Sequence, residues 1–598
     1  MIKMVYILSK FCDTILIEVI IMRINKTLFK EITRCKTYYG LLEIYRNKKF
    51  AFLNDFTEEE LKEKLDLMYD PKTYDDLLAN DKEFYMKEYY DDVEKEGINV
   101  SNKLLNLSFK YKEVEKQTKL EFKDKSGHYF ETYADGYLED KESIYLLEVK
   151  SCSSNTIIGK YNRFIYEDGI YKLTNKKDEK TEKDLKHLYN RFSDVGKYIY
   201  DATFTYYLST KNNPGNKNIK VYLAVLNSDY ILNIKNNFDN IYPKDENGNY
   251  VMSVFDVTNV VKENLTFLIQ DMNKLINLIQ TNKYFPPILG THCGYKKQES
   301  CMFTPICYKP FETKGSIIEY YRQMRYEDMN NGKKLLSDVT YDELTTEKTK
   351  LQRSCFVNDE RFINIDKIAA GIDIIKYPIY YLDFETFQSP LPRFFGERPN
   401  AQSLFQFSLH IETKEGICDI DKDHCSFLAN DYNDCRKKLC EELIKLIDLE
   451  NGGTVIVYNQ TFEKQRIKEL MEFYPEYKKK LQIIDDHIFD LMYLLVGNKK
   501  MFENLGYDDD LFNFYDNKLR GSFSIKKVLP LFSSLSYQNL DVKNGLEAQE
   551  AYSKFRYMST EDIEEERQKL IEYCKLDTWS MVVILNGLKK LINKKNAK

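Results

Sequence analysis

The apolar run IYYLDFETF, residues 379–387, constrains this chain more than any other stretch. Its aromatic and β-branched content reads as a buried strand, yet it carries Asp383 and Glu385 two residues apart. In a strand, residues two apart point to the same face. Two carboxylates side by side in an apolar setting are costly unless something positive neutralises them. A fold that buries this strand must therefore bring a cation to that face.

The chain has 598 residues, too many for one core, and the length prior is about two to four domains. With 43% apolar and 30% charged residues it is globular and not disordered. Its net charge of −6 means that a nucleic-acid partner would need local basic surface. Twelve cysteines without a secretory signal predict a cytosolic protein whose cysteines are thiols or metal ligands. Residues 1–21 are fairly apolar, but Lys10, Asp13 and Glu18 interrupt the run, so neither a signal peptide nor a membrane span is expected. Residues 1–22 read as an extension, or as an upstream start before a domain that begins at Met22.

Along the chain the pattern is α/β. Residues 23–115 read as mainly helical. KQTKLEFKDKSGHYFETYADGYLEDKESIYLLEVKS changes to a period near two, which predicts a three-stranded antiparallel meander with Asp135 in its second strand. A helix over RFSDVGKYIYDATFTYYLS, a strand IKVYLAVLN, a hairpin around KDENGNYVMSVFDVT and a long helix from Thr258 follow. Residues 311–370 read as a polar helical connector. From 371 to 598 strands and helices alternate, ending in a long helix over EDIEEERQKLIEYCKLDTWSM.

The second half offers more carboxylates. Glu463, in VYNQTFEKQRI, follows Asn459 at the start of a helix. Tyr573 and Asp577, in YCKLDT, lie four apart on one helical face. Asp383, Glu385, Glu463 and Asp577 thus form an oxygen-rich set suited to Mg²⁺ or Mn²⁺. A pair of such ions can stabilise both oxygens of a phosphodiester displacement. DFET, NQTFE and YCKLD resemble the three motifs of DEDD-type 3′–5′ exonucleases, in the subclass whose last motif carries Tyr. That resemblance implies an RNase H-like fold and a Tyr573 that orients the attacking water. The middle motif normally ends in Asp, where this chain has Glu463, and Asp490 in IFDLMYLL is the alternative ligand. Ser522 or Ser524 in GSFSIKKVLP is a candidate N-cap, with Lys526 and Lys527 placed to approach phosphate. Asn459 is a further candidate contact to nucleic acid.

In the first half, Asp135 followed by Glu148 and Lys150 on one strand face places two acids and an ammonium together. This resembles the PD-(D/E)xK nuclease core in its RecB-like branch, a restriction-endonuclease-like fold. That branch carries a Gln–x–x–x–Tyr helix, and here Thr205 stands at the Gln position. Cys293, Cys301 and Cys307 fall within 15 residues among Gly and Pro, a loop spacing that favours a metal or cluster. Cys35 is the candidate fourth thiolate, and His292 is less favoured. One early and three late cysteines bracketing such a core resemble RecB-like nucleases with a [4Fe–4S] cluster, with zinc as the rival group. Cys152, Cys355 and Cys440 read as packing residues.

Together the halves resemble a bacterial family, of uncharacterised domain, that fuses an iron–sulfur RecB-like nuclease domain (23–310) to a DEDD exonuclease-like domain (371–598). The resemblance implies a metal-dependent nuclease acting on nucleic acid, DNA before RNA, with the 3′–5′ activity in the C-terminal domain. The rival expectation is a nucleic-acid-binding iron–sulfur protein with one or both centres degenerate. An iron–sulfur redox enzyme fits poorly, because no Gly-rich dinucleotide fingerprint is present.

Overall fold

In this computed structural model, β8 (Asn218–Leu226) is the strand around which the N-terminal half is built. The structure describes residues 21–46, 86–113, 116–158, 164–173, 183, 186–235, 240–281, 285–295 and 301–596. Most of the expected N-terminal extension lies outside these residues.

Every residue of VYLAVL in β8 is buried, and successive residues serve opposite layers. Val221, Leu223 and Val225 pack with one core, and Tyr222, Ala224 and Leu226 with another. This explains a continuous apolar run where a one-sided strand would alternate. The sheet order is β4-β5-β8-β9-β7-β6, with β4 Gly136–Glu139, β5 Ser143–Ser153, β6 Phe164–Glu167, β7 Ile170–Leu173 and β9 Met252–Asp256. β5 runs parallel to β8, and β9 antiparallel to it. Helices α1 (Lys26–Arg34), α4 (Gly196–Lys211) and α5 (Thr258–Thr281) contribute to the first layer. α3 (Lys87–Leu105) covers the second, and α2 (Lys36–Arg46) follows α1.

Two expectations are corrected here. The meander is four strands in two sheets: β2 (Thr118–Lys123) and β3 (Tyr129–Ala134) pair with each other and with β1 (Arg23–Asn25), while β4 joins β5. Asp135 sits in the bend between β3 and β4, where the chain changes sheets, and not within a strand. The hairpin around Tyr250 is a turn leading into β9, which pairs with the distant β8 and β7. Period-two patterning marks strands but not their partners.

The segment 311–370 is only partly helical. Short 3₁₀ turns precede α6 (Glu347–Asn358), β10 (Phe362–Ile363) and α7 (Ile365–Ile372). It is sewn to the C-terminal half. β10 pairs with β16 (Phe514–Tyr515), and Gln352 Nε2 donates to the Glu319 carbonyl at 2.7 Å and to Tyr515 Oη at 2.9 Å. Gly521, at φ +71°, sits so close to Glu319 that a Cβ would lie 1.7 Å from its carbonyl oxygen.

The C-terminal half is a five-stranded sheet ordered β13-β12-β11-β14-β15, with β11 Ile379–Gln388, β12 Gln402–Glu412, β13 His424–Leu428, β14 Thr454–Val457 and β15 Ile488–Asp490. The first three strands are antiparallel, and β14 and β15 are parallel to β11. On β11, Tyr380, Leu382 and Phe384 face a core shared with α8 (Arg436–Leu446), α9 (Thr461–Phe473) and α10 (Lys478–Asp486). The opposite face meets α11 (Gly545–Lys554) and the long α12 (Thr560–Asn596). The ladder shifts register between Glu385 and Thr386, leaving Phe405 of β12 as the extra residue. Phe405 and Phe407 consequently pack in different cores, although they are two apart.

The loop after β11 joins the halves. The Leu232 amide donates to the Glu397 carbonyl at 2.9 Å, and the Gly396 amide returns to the Leu232 carbonyl at 2.8 Å. Leu391 is buried among residues of α3, β5 and β9.

Candidate metal centres

β11 and α12 face each other, and their polar residues meet. Asp383 and Glu385 point off one face of β11, as the two-residue spacing requires, and Tyr573, Cys574 and Asp577 come from α12. Glu463 enters from the first turn of α9. Its position is fixed by Asn459, which takes φ +71° at the corner after β14, and by Asp490. Asp490 accepts the backbone amides of Asn459 (3.0 Å), Gln460 (3.1 Å) and Met492 (3.0 Å). These bonds use both of its oxygens, so Asp490 staples the corner that presents Glu463.

The cluster is rich in acid. Burial and the charges of Asp577, Glu385 and Glu463 hold the Asp383 carboxyl well above its ordinary range. Burial pushes Glu385 and Glu463 up to about 8 and Asp577 to about 6. Glu463 Oε2 is buried with no hydrogen-bond partner. Lys526 brings the nearby positive charge, its Nζ lying 5.0 Å from the Tyr537 ring centre and 5.3 Å from that of Tyr573. It also donates to the Lys543 carbonyl. Ser524 occupies the N-cap position of a four-residue helix, but its hydroxyl makes no capping bond. Lys527 is exposed. Tyr573 is buried, and its phenol is raised by burial and by Asp577, Glu385 and Asp383. This donor set, with excess negative charge and an unpartnered oxygen, fits a divalent cation.

The first-half cluster has a different balance. The Asp135 carboxylate accepts the Val149 amide at 2.8 Å. Glu148 is fully buried and engaged by Lys26 (3.1 Å), Lys150 (3.0 Å) and the Thr205 hydroxyl (2.6 Å). Burial opposes its charge, but Lys26 and Lys150 hold its carboxyl well below the usual range. Asp135 is raised by burial, and Glu94 of α3 is pushed up to about 8 by burial and by the Asp135 charge. On α4, Asp201 pairs with Lys30 at 2.8 Å. Asp135, Glu148 and Lys150 do converge, and Thr205 contacts Glu148 from α4. A cleft of about 170 Å³ opens beside Asp135, lined by Lys110, Lys112 and Gln117.

Cys35, Cys293, Cys301 and Cys307 line a single cavity, together with His292. Burial raises Cys301 and Cys307 to about 12, and the neighbouring cysteines add to the effect at Cys307. Tetrahedral zinc, with Zn–S near ~2.3 Å, draws its sulfurs to within about 4 Å of each other. Among the described residues, the group whose ligand atoms converge within 4.8 Å is Asp383, Glu385 and Cys574, and the four cysteines are set wider than that. Cys355 and Cys440 are buried in cores, as expected of packing residues.

Residues 380–524 match DUF2779, a domain of unknown function. The DUF2779 region contains Asp383, Glu385, Asn459, Glu463 and Asp490, and stops short of Tyr573, Cys574 and Asp577. The chain is also 28% identical over 283 residues to Uncharacterized protein UU173 of Ureaplasma parvum serovar 3, covering 44% of this chain and 39% of that one. It is 28% identical over 266 residues to an uncharacterized MG366 homolog of Mycoplasma pneumoniae, covering 39% and 36%. The chain thus spans under two fifths of the length of these relatives. The matches support an uncharacterised bacterial domain family. No solved structure matches. Among the described residues, no helix is long and apolar enough to cross a membrane.

Several site residues escaped the sequence reading. Cys574 and Tyr537 are the clearest in the DUF2779-bearing half; Tyr537 donates to Asp577 Oδ1 at 2.7 Å. Lys26, Lys30 and Glu94 are their counterparts in the other. Cys574 carried a signal, since it lies three residues before Asp577 and so shares its helical face. The lysines carried none, being brought in by long-range packing.

Proposed function

We propose that the protein is a divalent-metal-dependent nuclease whose C-terminal half removes nucleotides from 3′ ends. The acid-heavy cluster on β11, α9 and α12 carries this reading. Asp383, Glu385, Glu463 and Asp577 would hold the metal ions. Bound cations would neutralise these carboxylates and polarise a phosphodiester. Tyr573 would orient water at the scissile bond, and Lys526 would add positive charge where phosphate approaches. The sheet order, an antiparallel trio extended by two parallel strands, supports an RNase H-like reading of this half.

In the same proposal the first half is a RecB-like domain, with Asp135, Glu148 and Lys150 as its centre and Cys35, Cys293, Cys301 and Cys307 holding a [4Fe–4S] cluster. One observation favours a second reading for this half alone. Lys26 and Lys150 already balance Glu148, which suits a nucleic-acid-binding platform with a silent centre. The cleft beside Asp135, with Lys110 and Lys112, would track a phosphate backbone.

The test uses anaerobically purified full-length protein with end-labelled single-stranded DNA and RNA and Mg²⁺ or Mn²⁺. A 3′-end ladder lost in Asp383→Ala supports the exonuclease. Cleavage that survives this change but disappears in Lys150→Ala assigns a second activity to the first half. Binding of both oligonucleotides with cleavage of neither overturns the nuclease reading.

A further inference from the structure

Cys574 is the residue of the C-terminal cluster that nothing above uses. It is 1% exposed, lies on α12 directly after Tyr573, and is three residues before Asp577. Its Sγ lies within 4.8 Å of a carboxylate oxygen from both Asp383 and Glu385. Asp577, the more obvious third partner, is not part of that tight group, and its Oδ1 is already occupied by the Tyr537 hydroxyl at 2.7 Å. A second observation points to a ligand at the same place. Glu463 is 4% exposed, its Oε2 has no partner, and its charge acts on both Asp383 and Glu385. The sulfur thus completes the tight group with the strand carboxylates, and the orphaned oxygen belongs to a buried acid outside that group whose charge both of them feel.

The geometry points to Cys574 as a thiolate ligand of the divalent cation held by Asp383 and Glu385, giving that site a preference for Co²⁺ or Zn²⁺ over Mg²⁺ and Mn²⁺. The inference rests on the metal site proposed above and adds to it the identity of a ligand and the class of ion. Thiolate binds borderline and soft cations, whereas Mg²⁺ keeps oxygen ligands and water. On binding, the S–H bond breaks, a metal–sulfur bond forms and the proton passes to bulk water. A coordinating thiol is deprotonated outright even where it is otherwise inert. Coordination by sulfur also accounts for a cysteine, not a hydroxyl residue or alanine, at a position aimed at two acids.

Co²⁺ is the probe, added to metal-depleted full-length protein with its N-terminal cysteine group in place. Wild type, Cys574→Ser, Cys574→Ala and Asp383→Asn are compared by absorption and by calorimetry. The expected result is a near-ultraviolet sulfur-to-cobalt band in the wild-type-minus-Cys574→Ser difference spectrum. It should be absent from Cys574→Ala and Asp383→Asn. Co²⁺ affinity should fall at least tenfold in Cys574→Ser, with Mg²⁺ affinity changed less than threefold. Asp383-dependent Co²⁺ binding without that band would overturn the inference and leave the metal site standing. No Asp383-dependent binding at all would remove both. Should Cys574→Ser not fold, Cys574→Ala carries the same comparison.

Discussion

Glu385 belongs to a group of buried acids whose carboxyls burial holds above their ordinary range. Its carboxyl and that of Glu463 titrate near pH 8, and that of Asp577 near 6, against ordinary values near 4. The folded state therefore retains protons that the unfolded chain gives up between about pH 4.5 and 8. The metal-free protein should lose stability as pH rises through that window, because the unfolded state binds fewer protons there. Thermal melts in chelator at pH 5 and pH 8 should show the lower Tm at pH 8. Mn²⁺ should raise Tm more at pH 8 than at pH 5. Asp383→Asn replaces a carboxyl that burial and its acidic neighbours force to hold a proton with a neutral amide. In chelator at pH 8 it should raise stability by about 1–2 kcal/mol, roughly 1–2 °C in Tm for a chain of this length, while abolishing the gain from Mn²⁺. Asp490→Ala should do the opposite. It strips three amide bonds from a buried corner, costs about 2–3 kcal/mol by chemical denaturation, and weakens Mn²⁺ binding by releasing Glu463.

Single elements carry the parts of the fold that sequence patterning does and does not reveal. The strand 379–387 and its paired acids were legible because period two is a property of the strand itself. α9 and α12 were legible for the same reason at period 3.6. Strand partners were not. The bend at Asp135 sends β3 and β4 into different sheets, and no local periodicity records which sheet a strand joins. The contacts of Lys26 with Glu148 and of Tyr537 with Asp577 span 122 and 40 residues, so only the fold discloses them. Gly521 gives a local test of such a contact. Gly521→Ala must place its Cβ against the Glu319 carbonyl at positive φ, and should cost about 2–4 kcal/mol in denaturant melts. Gly416 has a similar φ of +72° but open space around its Cβ, so Gly416→Ala should cost only about 1 kcal/mol.

At the scale of the whole molecule, the two halves differ in charge balance and meet at the loop after β11 and at the start of α3, where Met86 and Tyr89 join the C-terminal core. Leu391, on the C-terminal side of the chain, fills the N-terminal core, and Gly396 and Glu397 bond Leu232 on either side. The halves should therefore unfold together. Leu391→Ala should cost about 2–4 kcal/mol and split the calorimetric transition into two. A variant that still unfolds in one step would show that the fastening lies elsewhere, for instance at Tyr89, which packs on Phe387 with ring centres 5.3 Å apart.

The surplus residue in β12 carries a consequence for heredity. Phe405 is the extra member of the ladder opposite the Glu385–Thr386 step, so losing its codon would leave Leu404 and Gln406 opposite the partners they already have. What would vanish is a stacked ring, 4.2 Å from Tyr552 between centres, and the local bend that the bulge gives the sheet beside Glu385. Loss of a codon at a regularly paired position nearby would instead turn the following side chains inside out. Among in-frame deletions in this strand, the one at 405 is the mutation a lineage could inherit with its two cores still in phase.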